Sequence, residues 1–165
     1  MIRRSLSAIV LTGLALGALA CHPPAPDSPT PIGADSLQGI VSVTGTAFEQ
    51  QIMLRSENGI TRLSPSVADS IALSRVGGVE IVAVGKRTPN GFQVGRFTVI
   101  SVAGSPVVDG VLRDDAGRLS LETTSGRVPL GNPPGALRKL IAARVWVGGP
   151  LDVGPNSFGV IIPPE

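Results

Sequence analysis

The chain reads as an all-β protein of two tandem, small five-stranded barrels, each with a short helix between its third and fourth strands. Three observations predict this. Residues 54–63, LRSENGITRL, match 121–130, LETTSGRVPL, setting Leu54 on Leu121, Gly59 on Gly126 and Leu63 on Leu130 at a constant offset of 67. Two later blocks repeat at shorter offsets. VEIVAVG at 79–85 answers to ARVWVGG at 143–149, with Val84-Gly85 on Val147-Gly148 at an offset of 63, and FTVI at 97–100 answers to FGVI at 158–161 at 61. A repeat of this length is one structural plan written twice, and length changes confined between apolar blocks are what loops tolerate and strands do not. The third observation is the spacing of short β-branched runs between Gly, Pro and Asn clusters, the pattern of strands joined by turns.

The first unit spans 37–104. Gly39 to Gly45 is a strand with Val41 and Val43 on one face and Ile40, Ser42 and Thr44 on the other. Gln51 to Arg55 forms the second strand, Asn58-Gly59 supplies the left-handed positions of a tight hairpin, and Ile60 to Leu63 forms the third. Ser64-Pro65 then offers an N-cap followed by proline at the first helical position. Val67, Ala68, Ile71 and Ser74 can share one face of a short helix that ends before Gly77-Gly78. Val79 to Val84 returns to strand, Pro89-Asn90-Gly91 turns, and Phe92 to Val102 is a long strand that Gly95 bends.

The second unit, 105–165, repeats that order. Val107-Val108 and Val111-Leu112 belong to its first strand, Asp115-Ala116-Gly117 turns into Leu119 to Leu121, and Ser125-Gly126 takes the place of Asn58-Gly59. Asn132-Pro133-Pro134 opens a helical stretch with Leu137 and Leu140, followed by strands at Ala143 to Val147 and Phe158 to Ile162. Three strands, a helix and two strands is the chain order of an OB-type barrel, and both units resemble the compact OB-like domains of exported bacterial proteins. An SH3-like barrel or a small β-sandwich is the alternative. Each unit, at roughly 60 residues, is near the lower limit for a stable core without disulfides. Ala103-Gly104-Ser105-Pro106 is too short for a flexible linker, so the units are expected to form one rigid body.

The first 20 residues carry a targeting signal. Met1-Ile2-Arg3-Arg4 is basic, Leu6 to Ala20 is apolar with small residues, and Ala18-Leu19-Ala20-Cys21 closes the run. This resembles the bacterial lipoprotein signal, which ends in a cysteine that is lipidated and becomes the first mature residue. Ala18 stands where that box prefers leucine, and Ala-x-Ala also suits ordinary signal peptidase, which would leave a secreted or periplasmic soluble chain. Cys21 is the single cysteine, so no intrachain disulfide explains it. The resemblance implies lipid attachment at Cys21, export to the cell envelope, and a membrane partner reached through the lipid. Residues 21–36 form a tether, since His22 to Ser36 contains five prolines.

Removing Arg3 and Arg4 leaves 12 basic against 12 acidic residues, so the formal net charge of +2 belongs to the signal. Nucleic-acid binding, which needs a concentrated positive surface, is disfavoured, as is base stacking with four Phe, one Trp and no Tyr. No phosphate-binding glycine loop, histidine pair or nucleophile elbow is present, and the sequence implies no metal and no cofactor. Asp69, Glu80, Asp109, Asp114, Asp115, Glu122 and Asp152 leave paired-carboxylate glycosidic chemistry open, although Asp114-Asp115 before Ala116-Gly117 reads as a turn.

The candidate binding residues are two small basic pairs and one aromatic. Lys86-Arg87 follows the fourth strand and Arg138-Lys139 lies on the second helical stretch; each serves solubility or docks acidic glycans or headgroups. Trp146 shares a strand face with Arg144, while Val145 and Val147 face the other way. It either anchors a partner or covers the seam between the units. The expectation is an envelope-tethered, non-enzymatic binding or scaffold protein engaging an envelope protein or a glycan. The runner-up is a carboxylate-dependent enzyme acting on envelope carbohydrate.

Overall fold

The computed structural model describes residues 34–46 and 49–164. The signal, Cys21, His22 and most of the Pro-rich segment lie outside the described residues. Among those described, no helix is long and apolar enough to cross a membrane.

Five strands of the first half close into a barrel. They are β1 (Asp35–Gly45), β2 (Gln50–Ser56), β3 (Gly59–Ser64), β4 (Glu80–Thr88) and β5 (Gly91–Val102), with α1 (Val67–Arg75) between β3 and β4. The antiparallel ladders β1–β2, β2–β3, β4–β5 and β1–β4 are joined by a parallel contact, Leu63 with Phe92 and Ser64 with Gln93 between β3 and β5, and the circuit is complete. This is a single closed OB-like barrel. β1 begins at Asp35, so the last residues of the expected tether are strand. β1 serves two partners, pairing β4 up to Ile40 and β2 from Ile40 onward. Gly39 permits that switch, because a Cβ there would run into the Arg55 carbonyl.

The second half contains β6 (Ser105–Asp115), β7 (Arg118–Thr123), β8 (Gly126–Pro129), α2 (Gly135–Arg138), β9 (Arg144–Gly148) and β10 (Ser157–Ile162). Its ladders β6–β7, β7–β8, β6–β9 and β9–β10 reproduce four of the five in the barrel. The fifth, between β8 and β10, is not formed among the described residues. In its place Gly131 N–H donates to Leu151 O at 2.7 Å, from the connection between β9 and β10. One closed barrel is therefore present where the sequence predicts two.

The duplication is exact enough to be read in hydrogen bonds. Val41 N–H donates to Val79 O at 2.9 Å, and Leu112 N–H donates to Ala143 O at 2.9 Å; Gly78 N–H meets Val41 O at 2.8 Å, and Ala142 N–H meets Leu112 O at 2.9 Å. Leu54 and Leu121 are both buried on β2 and β7, as are Leu63 and Leu130 after them. One sequence alignment slips. Gly39 pairs Ile81 and Gly110 pairs Val145, so β4 and β9 correspond at an offset of 64, with Ala83 on Val147. The Val84 to Val147 match at 63 sets a half-buried residue on a buried one, and a one-residue slip in a strand reverses its faces.

The first helix also departs from its sequence reading. Ser66 is the N-cap, accepting from Asp69 N–H at 3.1 Å while its hydroxyl donates to Asp69 Oδ2 at 2.8 Å. The buried side holds Ala72, Leu73 and then Val76, and Val67 and Ile71 face solvent. Helical spacing alone offered both faces; the barrel end chose the one carrying leucine. In the hairpin of β2 and β3 only Gly59 takes positive φ, at 118°, and Asn58 does not. The linker is itself a hairpin, with Ala103 at φ 50° and Gly104 at φ 78° joining β5 to β6 as a primed turn.

Ala142 (φ 71°) holds the place that Gly78 (φ 85°) holds in the first half, and a Cβ is strained there. Ala142→Gly is expected to stabilise the protein by about 0.5–1 kcal/mol after the entropy of the unfolded glycine is counted. The urea midpoint should rise at unchanged slope; a lower midpoint refutes the assignment.

Candidate functional site

Two charged residues interrupt apolar stretches, Asp109 in VVDGVL of β6 and Arg144 at the start of β9. Val111 pairs with Arg144 and Asp109 with Trp146, so the two charges are diagonal neighbours on one face of the sheet. That face is turned toward the barrel. Val107 and Trp146 pack against the barrel core, and Ile161 of β10 is buried within it, whereas Leu112, Val145 and Val147 build the separate core of the second half.

The charges meet an incomplete strand edge. One edge of β5 is paired with β4 along its length; the other has β3 at Phe92 and Gln93, and β6 only at Ser101 and Val102. Between those contacts side chains take over. Asp109 Oδ2 accepts Val99 N–H at 2.9 Å. Arg144 donates from Nε to Asp109 Oδ1 at 2.9 Å, from Nη2 to Asp109 Oδ2 at 2.7 Å, and from Nη2 to Phe97 O at 2.5 Å. Its guanidinium also lies over the Phe97 ring, 4.4 Å from the centroid. Asp109 has 3% of its side chain exposed and Arg144 22%, so the pair is sealed on one side and open on the other.

The open side is a cleft of about 320 Å³ where both halves supply walls: Arg96 and Thr98 from β5, Asp109 from β6, Glu122 and Thr124 at the end of β7, and Arg144 from β9. Larger depressions exist on the barrel alone, one of about 710 Å³ beside Gln38, Arg55 and Arg87. The seam cleft is the better candidate because its donors are held in place by buried groups. Across it, Glu122 is bound by Arg113 at 2.7 Å. The hydrogen bond and charge of Arg113, and then the charge of Arg127, hold the Glu122 carboxyl below its ordinary range.

The sequence-predicted residues are dispersed. Lys86 and Arg87 lie within β4, beyond where the sequence ended that strand, and alternation puts them on different depressions, Lys86 beside Gln93 and Arg87 beside Asp35. The Arg87–Asp35 contact is 3.7 Å and exposed. Arg138 donates to Gly117 O at 3.4 Å, and Lys139 caps α2. None of these four lines the seam cleft. Trp146 is half-buried against the barrel core with its indole lying across Gly159, its partner on β10. Asp114 and Asp115 form a turn, with Asp114 Oδ1 accepting Gly117 N–H at 2.7 Å and Asp115 paired to Arg127 at 2.7 Å. Sequence reasoning placed Arg144 on the Trp146 face of its strand and named Asp109 only among the available carboxylates, and it missed their union. The available signal was a lone charge of each sign inside an apolar run.

No protein-family model and no curated protein matches this chain. A solved structure described as a tRNA fluorescent labeling enzyme is similar at 11% identity and a TM-score of 0.34, over 79% of this chain. The match spans 32% of that structure's own chain, and at this level it bears on neither fold nor function.

Asp109→Ala strands Arg144 at the seam and releases Val99 N–H. Loss of one partner from a buried pair predicts destabilisation of about 3 kcal/mol, read by urea denaturation; a change within ~0.5 kcal/mol refutes the stitch. Trp146, the single tryptophan, is expected to emit to the blue of free indole and to resist iodide in the native protein. Emission at the unfolded wavelength before denaturation would place it outside the seam.

Proposed function

We propose that this chain is an envelope-tethered, non-enzymatic binding protein, held at the membrane by a lipid on Cys21 and offering the seam cleft to a glycan of the envelope. The observation that carries the reading is a cleft walled by both halves, largely apolar in lining but edged by Arg96, Thr98, Glu122 and Thr124, above a pre-fixed ion pair. Ligands favour concave junctions with a few convergent polar groups. Guanidinium and hydroxyl donors facing the Glu122 carboxylate suit a hydroxyl-rich ligand that both donates and accepts.

The second half fits the same reading as an open copy of the barrel, with the Gly131–Leu151 hydrogen bond standing for the missing ladder. Among the described residues its β8 pairs only with β7. That free edge favours a second reading, in which an envelope protein adds a strand to β8.

Carboxylate catalysis is the weaker alternative. A glycosidic general acid needs a raised pKa, and Glu122 is shifted the other way. Both oxygens of Asp109 are already committed to Arg144 and Val99.

Crosslinking in native envelopes, with the anchor intact, is expected to recover glycan fragments on the seam, with capture lowered about tenfold by Thr124→Trp, a bulky side chain at an exposed cleft wall. Crosslinks confined to β8 would transfer the proposal to a protein partner. Purified protein that degrades wall polysaccharide, and stops doing so as Glu122→Gln, would defeat the binding reading. Globomycin should accumulate the unprocessed precursor; a soluble chain with unmodified Cys21 would defeat the anchor.

A further inference from the structure

We infer that the seam cleft selects a ligand bearing an oxyanion, a carboxylate or a phosphate, between Arg144 Nη1 and the Arg96 guanidinium; this rests on the cleft being the binding site. Arg144 commits Nε and Nη2 to Asp109 and to Phe97 O. Among the described residues its Nη1 makes no hydrogen bond, and no buried side-chain nitrogen lacks a partner. Nη1 is therefore reached by solvent, and Arg144 lines the seam cleft.

That nitrogen is a donor with its direction already set. Two bonds to Asp109, one to a backbone carbonyl and the stack on Phe97 fix the guanidinium plane. A fixed guanidinium loses little freedom when it binds a further acceptor. Ordinary surface arginines lack that advantage.

Charge then selects the ligand. Asp109 neutralises Arg144, and Arg113 neutralises Glu122. Arg96 lines the cleft, is exposed, and has no ion-pair partner among the described residues, so the cleft carries an uncompensated positive charge. Thr98 and Thr124 line the same space and bring hydroxyls to it. Guanidinium groups bind carboxylate and phosphate through charge-assisted hydrogen bonds that a neutral hydroxyl does not match. Glu122 on the facing wall limits the site to one anionic group and leaves an acceptor for neighbouring hydroxyls.

The test is calorimetric titration of the mature, anchored protein in detergent micelles with methyl glucuronide, glycerol phosphate and neutral methyl glucoside. At least one acidic probe is expected to bind about tenfold more tightly than the glucoside, with added salt weakening it. The preferred acidic probe identifies the source of the oxyanion. Arg96→Gln should erase the preference, and Glu122→Gln should strengthen acidic binding several-fold; both positions are exposed, so the seam is left intact. Equal binding of acidic and neutral probes, or an unchanged preference in Arg96→Gln, overturns the inference. A neutral glycan that binds and is lost in Thr124→Trp overturns the oxyanion while the binding site stands. If no probe binds and no glycan is crosslinked at the seam, both fall.

Discussion

The Asp109–Arg144 pair is what lets two five-strand sets share one body. β5 must close the barrel with β3 and β4 and then hand the chain to β6, which pairs with it at Ser105 and Pro106 and then turns to β7 and β9. A strand that diverges from its neighbour leaves backbone groups unpaired, and unpaired groups in a buried seam are costly. Asp109 satisfies the Val99 donor and Arg144 the Phe97 acceptor. Each charge needs the other, because a lone buried ion is strongly disfavoured. Side chains from the second half thus complete the hydrogen bonding of a strand in the first.

The rest of the seam follows. With β6, β9 and β10 presenting Val107, Trp146 and Ile161 to the barrel around the ion pair, that sheet buries apolar side chains on both faces, its other face holding the second core. The arrangement answers the size problem, since units of roughly 60 residues bury little surface alone. Gly159 makes room for the Trp146 indole, which spreads the one large aromatic across β10. The cleft arises from the same divergence: β5 and β6 separate beyond their hairpin, and the space between them opens beside the ion pair.

The duplicated halves differ where the chain closes. In the first, a two-residue turn between long β4 and β5 brings Phe92 and Gln93 to β3. In the second, β9 is five residues long and the connection to β10 runs through Pro150 and Asp152, so a loop reaches Gly131 before any strand can. The deletions visible in the falling repeat offsets are therefore accompanied by the loss of a ladder, with the four others retained. Matched backbone bonds at Val41 and Leu112 show how much of the plan survived.

The chain order of the elements, the alternation of β1 and β9 and the repeated leucines were legible in the sequence, because alternation is local. The helix face was not, since Val67 and Ile71 satisfy the same spacing as the buried Ala72 and Leu73 and only the barrel end distinguishes them. The register of β4 against β9 was lost by one residue for a related reason: valines on both faces make either alignment look apolar. Closure of one barrel and not the other depends on loop length acting through space, which no window of sequence contains. The site was the least legible part. Asp109 and Arg144 are 35 residues apart, and each alone reads as an isolated charge; the sequence set Arg144 on the Trp146 face, and the tertiary structure alone brought Asp109 beside it and supplied the bare edge of β5 that makes them a pair.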